Sequence, residues 1–407
     1  MTQTPASPSL LRIAGLPYFI VAFIARLPFA MMVVGVLTVV VSARGSLSLG
    51  GLTSAAVGIG TALIGPLLGA AADRYGQRPV LLVLAVLNSA MLALFIVVVY
   101  GGGDAPVLLL AAFAVGATAP QVAPMSRSRL VTIIDDRMPE SRRAGTTSAT
   151  MSYESAADEM VFVFGPFIVG ILASLIVPWA PLAVAAALTF VFVGAFALHP
   201  TGRHVSAARR DDGSAPSRIG ELFRPSLLVV VVGIFGVGLF FGSMLTSLTS
   251  FMADRGDPER AGLFYGVMGI GSAILALGIA WLPPRFSLRS RWLVFALILF
   301  GGSVLVAFSS SEITMIVALA ILGIGVGPTM VTLYSFGAAR SPLGRSATVM
   351  TMLGSGVVVG QALASAITGE IAESAGTAAS LWMPLASASV VLLAGVVNRF
   401  LTPTPHW

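Results

Sequence analysis

The sequence has no cysteine, no lysine and only three histidines, and a tenth of its residues are charged. Without cysteine there is no disulfide, no thiolate metal site and no thiol nucleophile. Without lysine there is no side-chain amine for Schiff-base chemistry, and all 23 basic residues are arginine. The shortage of charge excludes most. With 57% hydrophobic residues and a mean hydropathy of +0.95, the chain carries more apolar surface than a soluble core of 407 residues can hide. It reads as an integral membrane protein. A formal charge of +6 would point to nucleic acid in a soluble protein. Here the arginines occupy short loops between apolar runs, where they orient helices, and no nucleic-acid partner is expected.

At about 20 residues per crossing, spans are predicted near 17–41, 50–72, 79–101, 105–126, 146–175 and 178–199. A second set falls near 225–252, 261–282, 291–309, 313–336, 346–370 and 379–401. The expected fold is an all-α membrane protein of about twelve helices in two six-helix bundles, 1–200 and 225–407. They are joined by a polar cytoplasmic tether over 201–224 that is rich in Arg, Asp, Ser, Gly and Pro. If the N-terminus is cytoplasmic, 19 arginines fall inside, against Arg44, Arg255 and Arg260 outside and Arg26 within a helix. That bias predicts both termini in the cytoplasm, and the expected location is the cell's inner (plasma) membrane. Trp179, Trp382, Trp281 and Trp292 fall at predicted span boundaries, where an interfacial belt would place them. The first apolar run is too long for a cleaved signal and lacks a small-x-small cleavage site, so it is expected to stay as a span.

The two halves repeat. Gly51-Leu52, Gly58-Ile59-Gly60 and Ala62 match Gly262-Leu263, Gly269-Ile270-Gly271 and Ala273 at a constant offset of 211 residues, and Arg74 and Arg78 meet Arg285 and Arg289. A shared register over a span and its loop implies duplicated, pseudo-symmetric bundles, with a substrate site expected between them near the midplane.

The loop after the second span, Gly69-Ala-Ala-Ala-Asp73-Arg74-Tyr-Gly76-Gln-Arg78, interrupts two long apolar runs. Gly69 permits close helix approach and Gly76 a tight reversal. Asp73 can accept charge-assisted hydrogen bonds or sit at the positive N-terminal end of a neighbouring helix. With twelve spans, a central loop and internal duplication, the chain resembles the major facilitator superfamily of secondary transporters, whose loop signature is written G-x-x-x-D-R-x-G-R-R/K. Gly69, Asp73, Arg74, Gly76 and Arg78 match it, and Gln77 replaces a usual basic residue. The resemblance implies that this loop latches the bundles on the cytoplasmic side when the transporter faces outward. The second-half copy has Pro284 for Asp73 and Ser287 for Gly76, so only the first loop is expected to be a complete latch. Phe164-Gly165-Pro166 and Gly170 resemble part of a fifth-span motif of drug/proton antiporter-type efflux permeases, although Ser152 and Val161 stand where glycine is usual. Gly165, Pro166 and Gly170 most simply mean a kink or close packing.

Arg26 lies about ten residues into the first span, where a charge costs roughly 2.5 to 3.5 kcal/mol on insertion scales. Glu154 and Asp158 of the fifth span lie at similar depth and share a face at i,i+4, with Glu159 rotated about 100° from Asp158. Like charges so placed repel, and burial raises carboxylate pKa values. One acid can then bind a proton while Arg26 keeps another ionised. Arg26, Glu154, Asp158 and Glu159 are the candidate coupling residues, Asp158 first and Glu154 second. A structural ion-pair network and recognition of a cationic substrate are the competing readings. The histidines sit at the cytoplasmic edge or beyond it, so no buried histidine relay is expected.

In the resembling family the first, fourth, seventh and tenth spans line the cavity. Projected here, Met32, Gln121, Phe240, Phe241, Met244, Thr246 and Tyr334 become candidates to touch substrate. Aromatic and thioether surfaces suit an apolar or amphipathic molecule, and ordinary helix packing is the competing role. The expectation is alternating-access export of a small hydrophobic or amphipathic compound in exchange for protons, with sugar or metabolite transport, by export or proton symport, as the alternative. A transport-inactive sensor or scaffold is the reading of a different class. Neither a nucleotide loop nor a nucleophile with an activating base is recognisable, so an enzyme is not expected. No metal or cofactor is expected, and the partners are the bilayer, the substrate and protons, with the chain a monomer.

Overall fold

The computed structural model describes residues 9–45, 47–202, 217–256, 261–283 and 285–401. Within the fifth helix, the side chains of Glu159 and Pro166 lie outside the described set. Among the described residues there is no strand, and the apolar runs have become helices. The unbroken spans are the second (Leu47–Tyr75), third (Gln77–Tyr100), fifth (Glu140–Leu175), seventh (Pro225–Ala253), eighth (Ala261–Gly278), ninth (Leu288–Ala307), tenth (Glu312–Ala339) and eleventh (Ser346–Ala375). Among the described residues ten spans are long and apolar enough to cross a bilayer, and Phe264–Gly278 is a shorter apolar helix. The fifth, at 36 residues, has ample length. Together they make the twelve expected.

Two spans are broken where proline removes a hydrogen bond. The first consists of Leu16–Ile24 and Leu27–Arg44, with Ala25 and Arg26 between. Pro28 has no N–H to offer the Ile24 carbonyl, so the ladder opens there. The fourth consists of Ala105–Ala117 and Val122–Arg137, with Pro120 and Gln121 in the gap and Pro124 just beyond. It runs well past the predicted end at 126 and carries Arg127 and Arg129, both buried, inside the helix. The sixth contains a π-helical segment, Thr189–Val193, between Ala180–Leu188 and Gly194–Leu198.

By contacts the chain divides into two compact units. One holds Met1–Thr150, Val161–Pro216 and Gly344–Thr351; the other holds Met151–Met160, Ser217–Leu343 and Met352–Trp407. Of the tether, 203–216 lies outside the described residues, together with His204, His406 and Pro284. In the first unit, Val36, Val57, Phe95, Val115 and Leu182 join the first, second, third, fourth and sixth spans in one apolar core. In the second, the seventh span packs on the twelfth (Met383–Leu401), and the tenth packs on the eighth and ninth. Outward leucines such as Leu63 and Leu67 remain exposed, as lipid-facing side chains do.

The internal repeat is visible in how each unit packs its own helices. In the first, a Cβ on Gly60 would strike the Phe113 carbonyl, and one on Gly116 would strike that of Val57. In the second, a Cβ on Gly323 would lie 2.7 Å from the Met268 carbonyl, and Gly271 meets Ala320 at 3.9 Å. The second and eighth spans keep the offset of 211, and their partners, the fourth and tenth, keep one of 207. The same small-residue contact is thus built twice. Trp292 departs from the expected interfacial belt: it is fully buried and donates its indole N–H to the Val391 carbonyl at 3.2 Å. Gly233 and Gly395 leave the slot it fills.

Candidate functional site

The second span ends in Asp73-Arg74-Tyr75, and Gly76 reverses the chain with φ +91°, a backbone setting that side chains rarely adopt. The reversal leaves Asp73 on the last turn, facing the start of the eleventh helix, whose first residues 344–351 belong to the same compact unit. Asp73 Oδ1 accepts the N–H of Ala347 at 3.1 Å, and Oδ2 accepts the N–H of Thr348 at 2.7 Å and its hydroxyl at 2.5 Å. The helix begins at Ser346, so these are N–H groups that no carbonyl of its own helix can satisfy. A carboxylate there also opposes the positive end of the helix dipole. One turn earlier, a Cβ on Gly69 would collide with Thr351 Oγ1 and sit 2.8 Å from the Ala347 carbonyl. Gly69 is what lets the two backbones approach closely enough for Asp73 to reach. Arg74 is exposed, its guanidinium 5.3 Å from the Tyr75 ring centre, and Arg78 is half-buried.

Gln77 has a role that its sequence position concealed. It is fully buried, donates from Nε2 to the Met125 carbonyl at 3.1 Å and accepts at Oε1 from Arg129 Nε at 3.0 Å. Arg129 Nη1 also donates to the Phe196 carbonyl at 3.0 Å and to Thr201 Oγ1 at 3.2 Å, and the guanidinium lies 4.1 Å from the Phe196 ring centre. A basic residue at 77 would confront a buried cation, whereas the amide oxygen accepts from its Nε. The i,i+4 repeat of Met125, Arg129 and Ile133 on one helix face was the available signal for this burial.

Arg26 is buried at the break of the first span. Glu154 is fully buried and Asp158 half-buried in the fifth helix, flanked by buried Thr150, Ser152 and Ser155. Arg26 belongs to one unit, whereas residues 151–160 cluster with the other. Gly165 allows the fifth helix to approach the first: a Cβ there would lie 2.5 Å from that of Ala30. Gly170 is exposed with open space around it, so close packing at this motif is confined to Gly165 among the described side chains. Of the substrate candidates, Met32 sits in the apolar core beside Val36, and Phe240, Met244, Tyr334 and Gln121 are buried. Phe241 and Thr246 are half-buried, with the Phe240 and Phe241 rings 6.0 Å apart. Gln121 lies in the break of the fourth span and folds back to the Ala119 carbonyl at 3.1 Å.

The family model of the Major Facilitator Superfamily matches residues 18–352. The chain belongs to that superfamily. This superfamily member is a multi-pass membrane transporter and not an enzyme. Over 161 residues it is 30% identical to the putative metabolite transport protein YfiG of Bacillus subtilis (strain 168), a match spanning 38% of this chain and only 33% of that relative. Its fold is similar to that of the human organic anion transporter MFSD10 (TETRAN), with TM-score 0.71, 17% identity and coverage of 96% of this chain and 100% of that one. It is also similar to the E. coli fucose:proton symporter FucP, with TM-score 0.65, 16% identity and coverage of 95% and 100%. Identities this low speak for the fold alone. None of these three names is that of a drug/proton antiporter.

Proposed function

We propose that this superfamily member works by alternating access as a proton-coupled exporter of a small hydrophobic or amphipathic compound. The observation that carries the coupling is Glu154, a carboxylate with no exposed surface on a membrane helix, with Asp158 one turn further on. The two acids share one helix face at i,i+4, so a proton carried by one lies within a turn of the other. Loading and release of that proton would alternate with substrate. On this reading Arg26 is the first span's own charge in the coupling, and Asp73 on the eleventh helix is the latch that closes the cytoplasmic side. The Phe240 and Phe241 pair of the seventh span, with Phe241 half-buried, supports an apolar or amphipathic cargo.

Proton symport of a sugar or metabolite is the second reading. It is supported by the run of hydroxyls around Glu154, from Thr146 to Ser155, which suits a hydroxylated cargo, and by the name of the Bacillus subtilis relative. Reconstituted liposomes with a pH-sensitive dye inside, screened with apolar cations, amphipathic drugs and sugars under gradients of either sign, separate the two. Antiport predicts that substrate and protons cross in opposite directions; movement in the same direction would replace it with symport.

A further inference from the structure

The polar chain around Arg129 ends on a titratable group that the transport cycle does not use. His199 closes the sixth span, held extended by the following Pro200, and the N–H of Gly202 returns to its carbonyl at 3.0 Å. Its ring lies against that of Tyr18, centres 5.5 Å apart, and its Nδ1 is 2.9 Å from Thr201 Oγ1 and 3.4 Å from the Thr201 N–H. A backbone N–H can only donate, so Nδ1 acts as an acceptor. Thr201 Oγ1 takes a hydrogen bond from Arg129, which leaves its own proton for Nδ1. With Nδ1 as the acceptor of the Thr201 N–H, the links from Arg129 through Thr201 to His199 run in one direction and the imidazole is neutral.

The charges around this ring favour the same state. Arg129 is fully buried, and the groups it meets are all neutral: the Gln77 amide, the Phe196 carbonyl, the Thr201 hydroxyl and the Phe196 ring. From the first span Tyr18 faces the ring, its hydroxyl 2.8 Å from Ser126 Oγ; from the third comes Gln77, and from the fourth Arg129. Burial, and then the Arg129 charge, hold the His199 pKa below the usual histidine value. Because the folded value is the lower one, the unfolded chain binds more protons as pH falls. The structure keeps its full stability above the ordinary histidine range and loses part of it on acidification.

We propose that His199 is a pH-responsive catch at the inner end of the sixth span, and that its protonation breaks the Arg129–Thr201–His199 chain and loosens the ends of the fourth and sixth spans. A proton on Nδ1 ends its role as acceptor and sets a second cation beside a buried arginine. Cytoplasmic acidification would then open this corner independently of the proton carried by Glu154 or Asp158.

The unmodified protein in lipid nanodiscs carries the first test. Exchange of the histidine ring C2 proton, read by mass spectrometry, is expected to give His199 a midpoint below that of histidine in an unstructured peptide. Backbone hydrogen exchange, corrected for intrinsic pH dependence, is expected to rise several-fold over 122–137 and 194–202 between pH 7.5 and 5.5. His199→Gln, neutral at every pH and still able to accept from Thr201, should remove that rise. An ordinary His199 midpoint, pH-independent protection in the unmodified protein, or the same rise in His199→Gln would each overturn the proposal.

Discussion

Asp73 caps a helix it does not belong to: its carboxylate takes both the backbone N–H and the hydroxyl of Thr348, at 2.7 and 2.5 Å, at the first turn of the eleventh helix. Asp73→Asn keeps the size and loses the charge, and its amide cannot accept two N–H groups and a hydroxyl as the carboxylate does. The expected loss is about 1 to 2 kcal/mol, the range for a helix cap or a charged hydrogen bond. Thr348→Val, which removes the hydroxyl and leaves both N–H bonds, should cost less. Thermal unfolding in detergent compares the two.

Gly69 and Gly58 lie on the same helix in opposite surroundings. A Cβ at 69 meets Thr351 and the Ala347 carbonyl, whereas at 58 nothing lies within 4 Å. Gly69→Ala should therefore destabilise by about 1 to 3 kcal/mol, as overpacking does. Gly58→Ala should be neutral or stabilising by up to about 1 kcal/mol through helix propensity. Thr351→Ala is expected to restore Gly69→Ala only in part, because the Ala347 carbonyl stays where it is. The melting temperatures of these variants order the effects.

Restoring the superfamily's usual basic residue at position 77 should harm this chain. Gln77→Arg would bring two guanidinium groups together in a fully buried place, and an uncompensated buried charge costs about 3 to 5 kcal/mol. Gln77→Glu would instead face Arg129 with an opposite charge and should be the milder change. The yield of monodisperse protein and its melting temperature distinguish the two, and equal harm from both would argue against the electrostatic reason for Gln77.

Much of the fold was legible because a bilayer imposes a crude rule. Apolar runs of spanning length separated by arginine-bearing loops become helices, and the offset of 211 residues between Gly60 and Gly271 reappears as a packing contact in each unit. Gly76 was readable as a reversal, and Asp73 as a group seeking a helix N-terminus, but nothing local to Asp73 names Ala347 and Thr348 as its partners. The fourth span was ended too early because Arg127 and Arg129 read as cytoplasmic charges. Arg129 can be buried because Gln77, Phe196 and Thr201, from segments far apart in sequence, supply its acceptors. Trp292 was misplaced for a related reason. A tryptophan near a span end suits an interface, and only the packing of two distant glycines, Gly233 and Gly395, makes a slot for it.

The two acids of the fifth helix should differ in effect. Glu154→Gln, at the fully buried position, is expected to lower proton-coupled flux at least tenfold while the protein still folds. Asp158→Asn, at the half-buried position, should retain part of the flux. Substrate binding to detergent-solubilised protein, measured alongside flux, separates lost coupling from a damaged site.

The most direct measurement is dye-reported proton flux in liposomes holding the unmodified protein, Glu154→Gln or Asp158→Asn, driven by an imposed gradient of a transported compound. Proton movement that depends on the compound and disappears in at least one of the two variants is the predicted result. Full compound-driven proton movement in both variants, or compound transport with no proton movement in the unmodified protein, would contradict it.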